Sequence, residues 1–144
     1  MLIQVVCAVL RNSDGAVLLT RRAPGQHLAD HWELPGGKLE ADESPQAALE
    51  RELLEELNLS AQAGTELCRN RHQEAHRTIE LIALECQADT TSMRLTVHDA
   101  VAWHSAEKAL ELRLAPADVP LLEHLAADRR FAPQSRAAGG RAPE

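Results

Sequence analysis

From Gln4 to Leu10 the chain is almost unbroken in apolar residues and rich in β-branched ones, which predicts a strand. Asn12 to Gly15 has turn composition, and Ala16 to Thr20 is a second apolar run, so the two predict a hairpin. Arg21 to Trp32 is polar and contains Pro24 and Gly25, as a loop would. Leu34 to Gly37 punctuates the chain again and leads through polar residues to Ser44. Ser44 before Pro45 is a helix start: the serine caps, and proline needs no amide partner at the first helical position. That helix is expected to reach about Leu57, with Leu49, Leu53 and Leu57 on one face. Asn58 suits the left-handed residue that often ends a helix.

Thr65 to Asn70 and Arg77 to Cys86 follow as strands, the second apolar enough to be central. Met93 to Val97 and Ala100 to Trp103 are shorter strand candidates, and Ser105 to Leu110 and Ala117 to Ala127 are helical in pattern. Phe131 to Glu144 has Pro, Gly, Ala and Arg with no periodicity, so residues 1–130 form the expected domain and 131–144 a disordered tail. No internal repeat is found. Alternating strands and helices predict a single mixed α/β domain.

Composition narrows the function. The 144 residues are 44% apolar but only 2% aromatic, so the core must be built of Leu, Val, Ile and Ala. A net charge of −7 argues against a nucleic-acid surface, though a nucleotide needs only a local positive pocket. No apolar run approaches the length of a membrane span and no leader pattern is present, so a cytoplasmic protein is expected. Cys7, Cys68 and Cys86 lack metal spacing and are expected to be reduced core residues.

The chemistry concentrates on the first helix. At roughly 100° per residue, Glu52, Glu55 and Glu56 share one arc of its surface. Carboxylates so placed repel one another and oppose the helix dipole, a penalty that a shared hard cation would remove.

Gly37, five residues, Glu43, seven residues, then Arg51, Glu52, Leu53, Leu54, Glu55, Glu56, Leu57, Asn58 and Leu59 resembles the Nudix box. The one departure is Asn58, where the family has glycine. The resemblance implies the Nudix fold, a mixed β-sheet sandwiched between helices. It implies Glu52, Glu55, Glu56 and the Gly37 carbonyl as Mg²⁺ ligands, with Mn²⁺ able to substitute, and Glu43 as an outer contact. Arg51 would orient the catalytic glutamates, and Glu55 or Glu56 is eligible as the base that accepts the water's proton.

Beyond the box, Val17 to Arg22, His27 to Asp30, Trp32 to Gly37 and Leu114 to Pro120 are similar to the MutT branch. The last segment is more similar to bacterial CTP pyrophosphohydrolases. This implies hydrolysis of a nucleoside triphosphate to monophosphate and pyrophosphate, with 8-oxo-dGTP or a cytidine nucleotide as substrate. Arg22, or Arg21 beside it, could contact phosphate or base, Arg77 matches a pocket arginine of the branch, and Asp118 matches the asparagine that contacts the base. An ionised aspartate only accepts hydrogen bonds, which would favour an exocyclic amino group; its competing role is an N-cap for the helix after it. Asp99, at a shifted register, could stand in for a glutamate that the branch often carries nearby, and His98 could reach a phosphate. Leu34, Ala8 and Ile82 are expected as apolar walls, Trp103 as core, and His72, His76, His104 and His124 as surface residues.

Two other readings stay open: a Nudix hydrolase of ADP-ribose or another nucleoside diphosphate derivative, and a nucleotide-sensing module without catalysis. In all of them the partner is a small nucleotide, without nucleic acid or membrane, and the protein a monomer or weak dimer.

Overall fold

The computed structural model describes residues 1–131, so the expected tail lies outside the described residues apart from Phe131. Strands β1 (Leu2–Leu10), β4 (Gly36–Lys38), β5 (Ala61–Gln73) and β6 (Thr78–Ala88) form a sheet of order β4-β1-β6-β5. Strands β2 (Val17–Arg22), β3 (Trp32–Glu33) and β7 (His98–His104) form a second, of order β3-β2-β7. Helices α1 (Pro45–Leu57), α2 (Ala106–Ala109) and α3 (Val119–Ala127) complete the fold.

The mixed character comes from β1 and β6, which pair in parallel from Leu2 with Thr78 to Leu10 with Cys86, while β4 and β5 add antiparallel edges. Side chains alternate between two cores, as a period of two requires. Cys7, Val9, Val17, Leu19, Leu81 and Ala83 pack with the α2 and α3 leucines and alanines. Val6, Ala8, Leu10, Leu18, Ile82 and Leu84 pack against Ala48, Leu49, Leu53 and Leu57 of α1. The strands are therefore covered on both faces, as expected for helices flanking a mixed sheet.

The hairpin expected of β1 and β2 does not form. The turn itself closes, with Asn12 N–H on the Ala16 carbonyl at 3.0 Å, but the strands join different sheets and meet only through an Arg11–Val17 bridge. Both edges of β1 are already taken by β4 and β6, so none is left for β2.

Met93 to Val97 is not a strand either. The Arg94 N–H and the Thr96 hydroxyl donate to the carbonyls of Leu57 and Glu56, at 2.9 and 3.0 Å, so the segment satisfies the open end of α1 instead.

Helix α1 begins and ends as its sequence predicts. The Ser44 hydroxyl accepts from Ala47 N–H, Pro45 opens the first turn, and Asn58 is left-handed at φ 56° and ψ 37°. Its amide side chain also donates to Ser92 O at 3.0 Å. Asn58→Ala should therefore cost about 1–2 kcal/mol in urea unfolding, whereas Asn58→Gly should stay within about 1 kcal/mol of the parent. Equal losses in the two variants would show that the backbone conformation is not what Asn58 supplies.

Candidate active site

Glycines bring the loop against the helix. β4 lies so close to β1 that a Cβ on Gly36 would overlap the Val6 carbonyl, and one on Gly37 would displace the Glu52 carboxyl group. Gly37 thus allows a backbone to rest on a carboxylate of α1.

Arg51 organises this junction. Its Nε and Nη2 donate to the two Glu43 oxygens at 2.7 and 2.9 Å, and Nη2 also reaches Lys38 O at 3.1 Å. Nη1 donates to Glu52 at 2.9 Å and Glu55 at 3.2 Å. All five N–H groups are thereby used. The Arg51 guanidinium and the Glu40 N–H hold the Glu43 carboxyl down at about 2. Glu43 is spent on anchoring Arg51.

The box carboxylates are not equivalent. Glu52 is 13% exposed and Glu55 is 61% exposed. Glu52, Glu56 and Gly37 line a cavity of about 700 Å³, and Glu55 does not. Burial, then the charge of Glu52, pushes the Glu56 carboxyl up to about 7. Among the described residues no three His, Cys, Asp or Glu side chains converge into a ready-made metal cluster. Two carboxylates beside the Gly37 backbone nonetheless suit a hard divalent cation, which would offset the charge that Glu52 and Glu56 bring to one cavity.

The same cavity is lined by Arg22, Arg77 and Asp118, so every substrate-contact candidate meets two of the box carboxylates in one space. Asp118 does not cap α3 with its side chain. It is buried, and Oδ2 accepts from Leu34 N–H at 2.8 Å. Burial, then the charge of Glu33, pushes its carboxyl up to about 8. Burial thus favours the neutral form of Asp118, which can donate as well as accept, so the acceptor-only argument for an exocyclic amino group loses its premise.

Glu33 is the site residue that the sequence reading missed. It lines the cavity, takes two bonds from Arg22 Nη1 at 3.2 and 3.3 Å, and meets buried His98 Nε2 at 2.9 Å. Arg22 Nε and His98 Nδ1 are buried without a hydrogen-bond partner among the described residues. A signal existed: Glu33 stands within the Trp32 to Gly37 segment that was singled out, but sheet pairing places it, not spacing. Asp99 instead pairs with Arg21 at 2.8 Å, near the surface, and lies outside the cavity lining.

The walls also shift by one register. Leu34 lines the cavity, but Ala8 and Ile82 face α1, and their neighbours Cys7 and Leu81 take the cavity side. His72, expected at the surface, lines it too, as does His27. Trp103 packs against the α1 core. The cysteines are free thiols, and burial pushes Cys68 and Cys86 up to about 11, and Cys7 well above its ordinary value.

Comparison with known proteins gives a consistent picture. Residues 1–125 match the family model described as NUDIX domain. A CTP pyrophosphohydrolase of Escherichia coli is 39% identical over 132 residues, covering 92% of this chain and 97% of its own. An 8-oxo-dGTP diphosphatase of Haemophilus influenzae is 47% identical over 60 residues, 42% of this chain and 44% of its own. The crystal structure of a MutT protein from Methanosarcina mazei superposes with a TM-score of 0.78 at 28% identity, covering 86% of this chain and 92% of that one.

The buried carboxyl of Asp118 has a stability signature. An unfolded aspartate loses its proton near its ordinary value of 3.8, the folded one near 8, so stability falls as pH rises between them. Asp118→Asn should gain stability relative to the parent as pH is raised from 5 to about 8 in paired urea titrations. A difference that is flat over this range would show that Asp118 is ionised in the folded protein.

Proposed function

The chain belongs to the Nudix family, and on that premise we propose that it is a Mg²⁺-dependent nucleoside triphosphate pyrophosphohydrolase. The observation that carries this reading is the single cavity joining Glu52, Glu56 and Gly37 to the buried Asp118 and Leu34 edge. Its volume lies within the range of small-ligand sites. It offers hard oxygen donors at one set of residues and arginines and a hydrogen-bonding edge at others, which suits a polyphosphate attached to a base. The two substrate classes supported by the relatives' names are a cytidine triphosphate and 8-oxo-dGTP, the second implying a role in sanitising the nucleotide pool.

In this reading Glu52, Glu56 and the Gly37 carbonyl hold the cation, with Glu55 at the exposed margin. When bound, Mg²⁺ neutralises phosphate oxygens and makes a water more acidic. Arg51 fixes the Glu52 carboxylate, and Glu43 fixes Arg51. Water attacks one of the two phosphorus atoms of the α–β anhydride, that P–O bond breaks to leave nucleoside monophosphate and pyrophosphate, and the water's proton passes to a carboxylate. Of the two eligible bases, Glu56 lines the cavity and Glu55 does not. Arg22 and Arg77 bind the substrate, and Asp118 meets the base.

Glu56→Gln and Glu52→Gln should each reduce kcat at least about a hundredfold with an unchanged circular dichroism spectrum. Near-normal turnover in both would sink the site assignment.

Asp118→Asn tests the base edge. Because neutral Asp118 resembles an amide, variant and parent should rank a panel of nucleoside triphosphates alike near pH 6.5. They should diverge near pH 9, where Asp118 is ionised, its carboxyl standing at about 8. Identical kcat/KM ratios in both proteins at both pH values would remove Asp118 from base recognition.

A further inference from the structure

The cavity that must accept a polyphosphate is lined by six acidic side chains, Glu33, Glu40, Glu52, Glu56, Glu74 and Asp118, against Arg22, Lys38 and Arg77. Each of its two arginines already holds a carboxylate. Arg22 is bound to Glu33, and Arg77 Nε is bound to Glu74 Oε1 at 2.8 Å. Arg77 and Glu74 sit across the turn that joins β5 to β6, and both remain about a third exposed, at 31% and 29%.

The turn does not need this ion pair to close. Glu74 N–H donates to the Arg77 carbonyl at 2.8 Å. Gln73 Nε2 donates to Glu74 O at 2.9 Å, and the Thr78 hydroxyl donates to Gln73 Oε1 at 2.6 Å. The Glu74 carboxylate is therefore spare as a structural element, yet it occupies the guanidinium at the cavity wall.

We propose that Glu74 is a specificity-determining residue, an internal counter-anion that holds Arg77 until a phosphate group displaces it. The inference rests on the triphosphate reading and names what a ligand must do to engage this wall. Phosphate carries more charge than a carboxylate and can take two guanidinium N–H groups where Glu74 takes Nε alone, so a polyphosphate can displace Glu74 while a weakly charged ligand competes poorly. No bond is made or broken in this exchange; Glu74 acts through Arg77 and is a positioning residue.

The test is affinity for inorganic tripolyphosphate with Mg²⁺, measured by calorimetry, alongside steady-state kinetics on CTP and 8-oxo-dGTP. Glu74→Gln should tighten tripolyphosphate binding about threefold to tenfold and lower KM similarly, with kcat unchanged. Glu74→Asp, which keeps the charge, should stay near the parent. In an Arg77→Gln background the Glu74→Gln gain should shrink to less than about twofold.

Unchanged or weaker tripolyphosphate binding by Glu74→Gln overturns the proposal. So does an equal gain with and without Arg77, which would mark a general charge effect. The functional reading fails separately, if the parent hydrolyses no triphosphate; the calorimetric comparison still decides the role of Glu74.

Discussion

Five N–H groups on one guanidinium hold the site together. Arg51 spans the loop at Lys38 and Glu43 and the helix at Glu52 and Glu55, and this sets the Gly37 strand against α1. Without it, Glu43, Glu52 and Glu55 would present uncompensated like charge at one junction. Single exposed ion pairs contribute little, but this is a network on a side chain only 26% exposed, and its planar fork fixes directions as well as distances. Lysine has the charge but not the fork. Glycine matters equally, because any side chain at Gly37 would displace the carboxylate that Arg51 fixes.

The sheet architecture supplies the rest. Every residue of β1 and β6 in the middle of the sheet is committed to one core or the other, so the two layers cannot slip by one position without exposing apolar surface. That rigidity places Cys7 and Leu81 at the cavity and sends Ala8 and Ile82 to α1. It also delivers Asp118, which follows the Leu114 to Ala117 segment, to the Leu34 amide from 84 residues away.

Local chemistry was legible in the sequence. Ser44, Pro45 and Asn58 each act through their own backbone neighbours, and the box spacing is a property of one loop and one helix. What was not legible depended on pairing. The turn at Asn12 to Gly15 is real, but which strand β1 accepts depends on edges filled by β4 and β6 much later in the chain. Glu33 and His98 become partners only because β3 and β7 both flank β2. The charge state of Asp118 depends on burial, which residue type does not encode, and His72 reaches the cavity because β5 is longer than its apolar pattern suggested.

A cavity that joined a cation-holding carboxylate end to a base-reading edge, as proposed, would let cleavage release pyrophosphate intact. Phosphorus NMR of the products formed from CTP and from 8-oxo-dGTP with Mg²⁺ tests it most directly. Nucleoside monophosphate and pyrophosphate should form in equal amounts from at least one of the two. Release of orthophosphate with a nucleoside diphosphate, or turnover of neither substrate, would contradict the proposal.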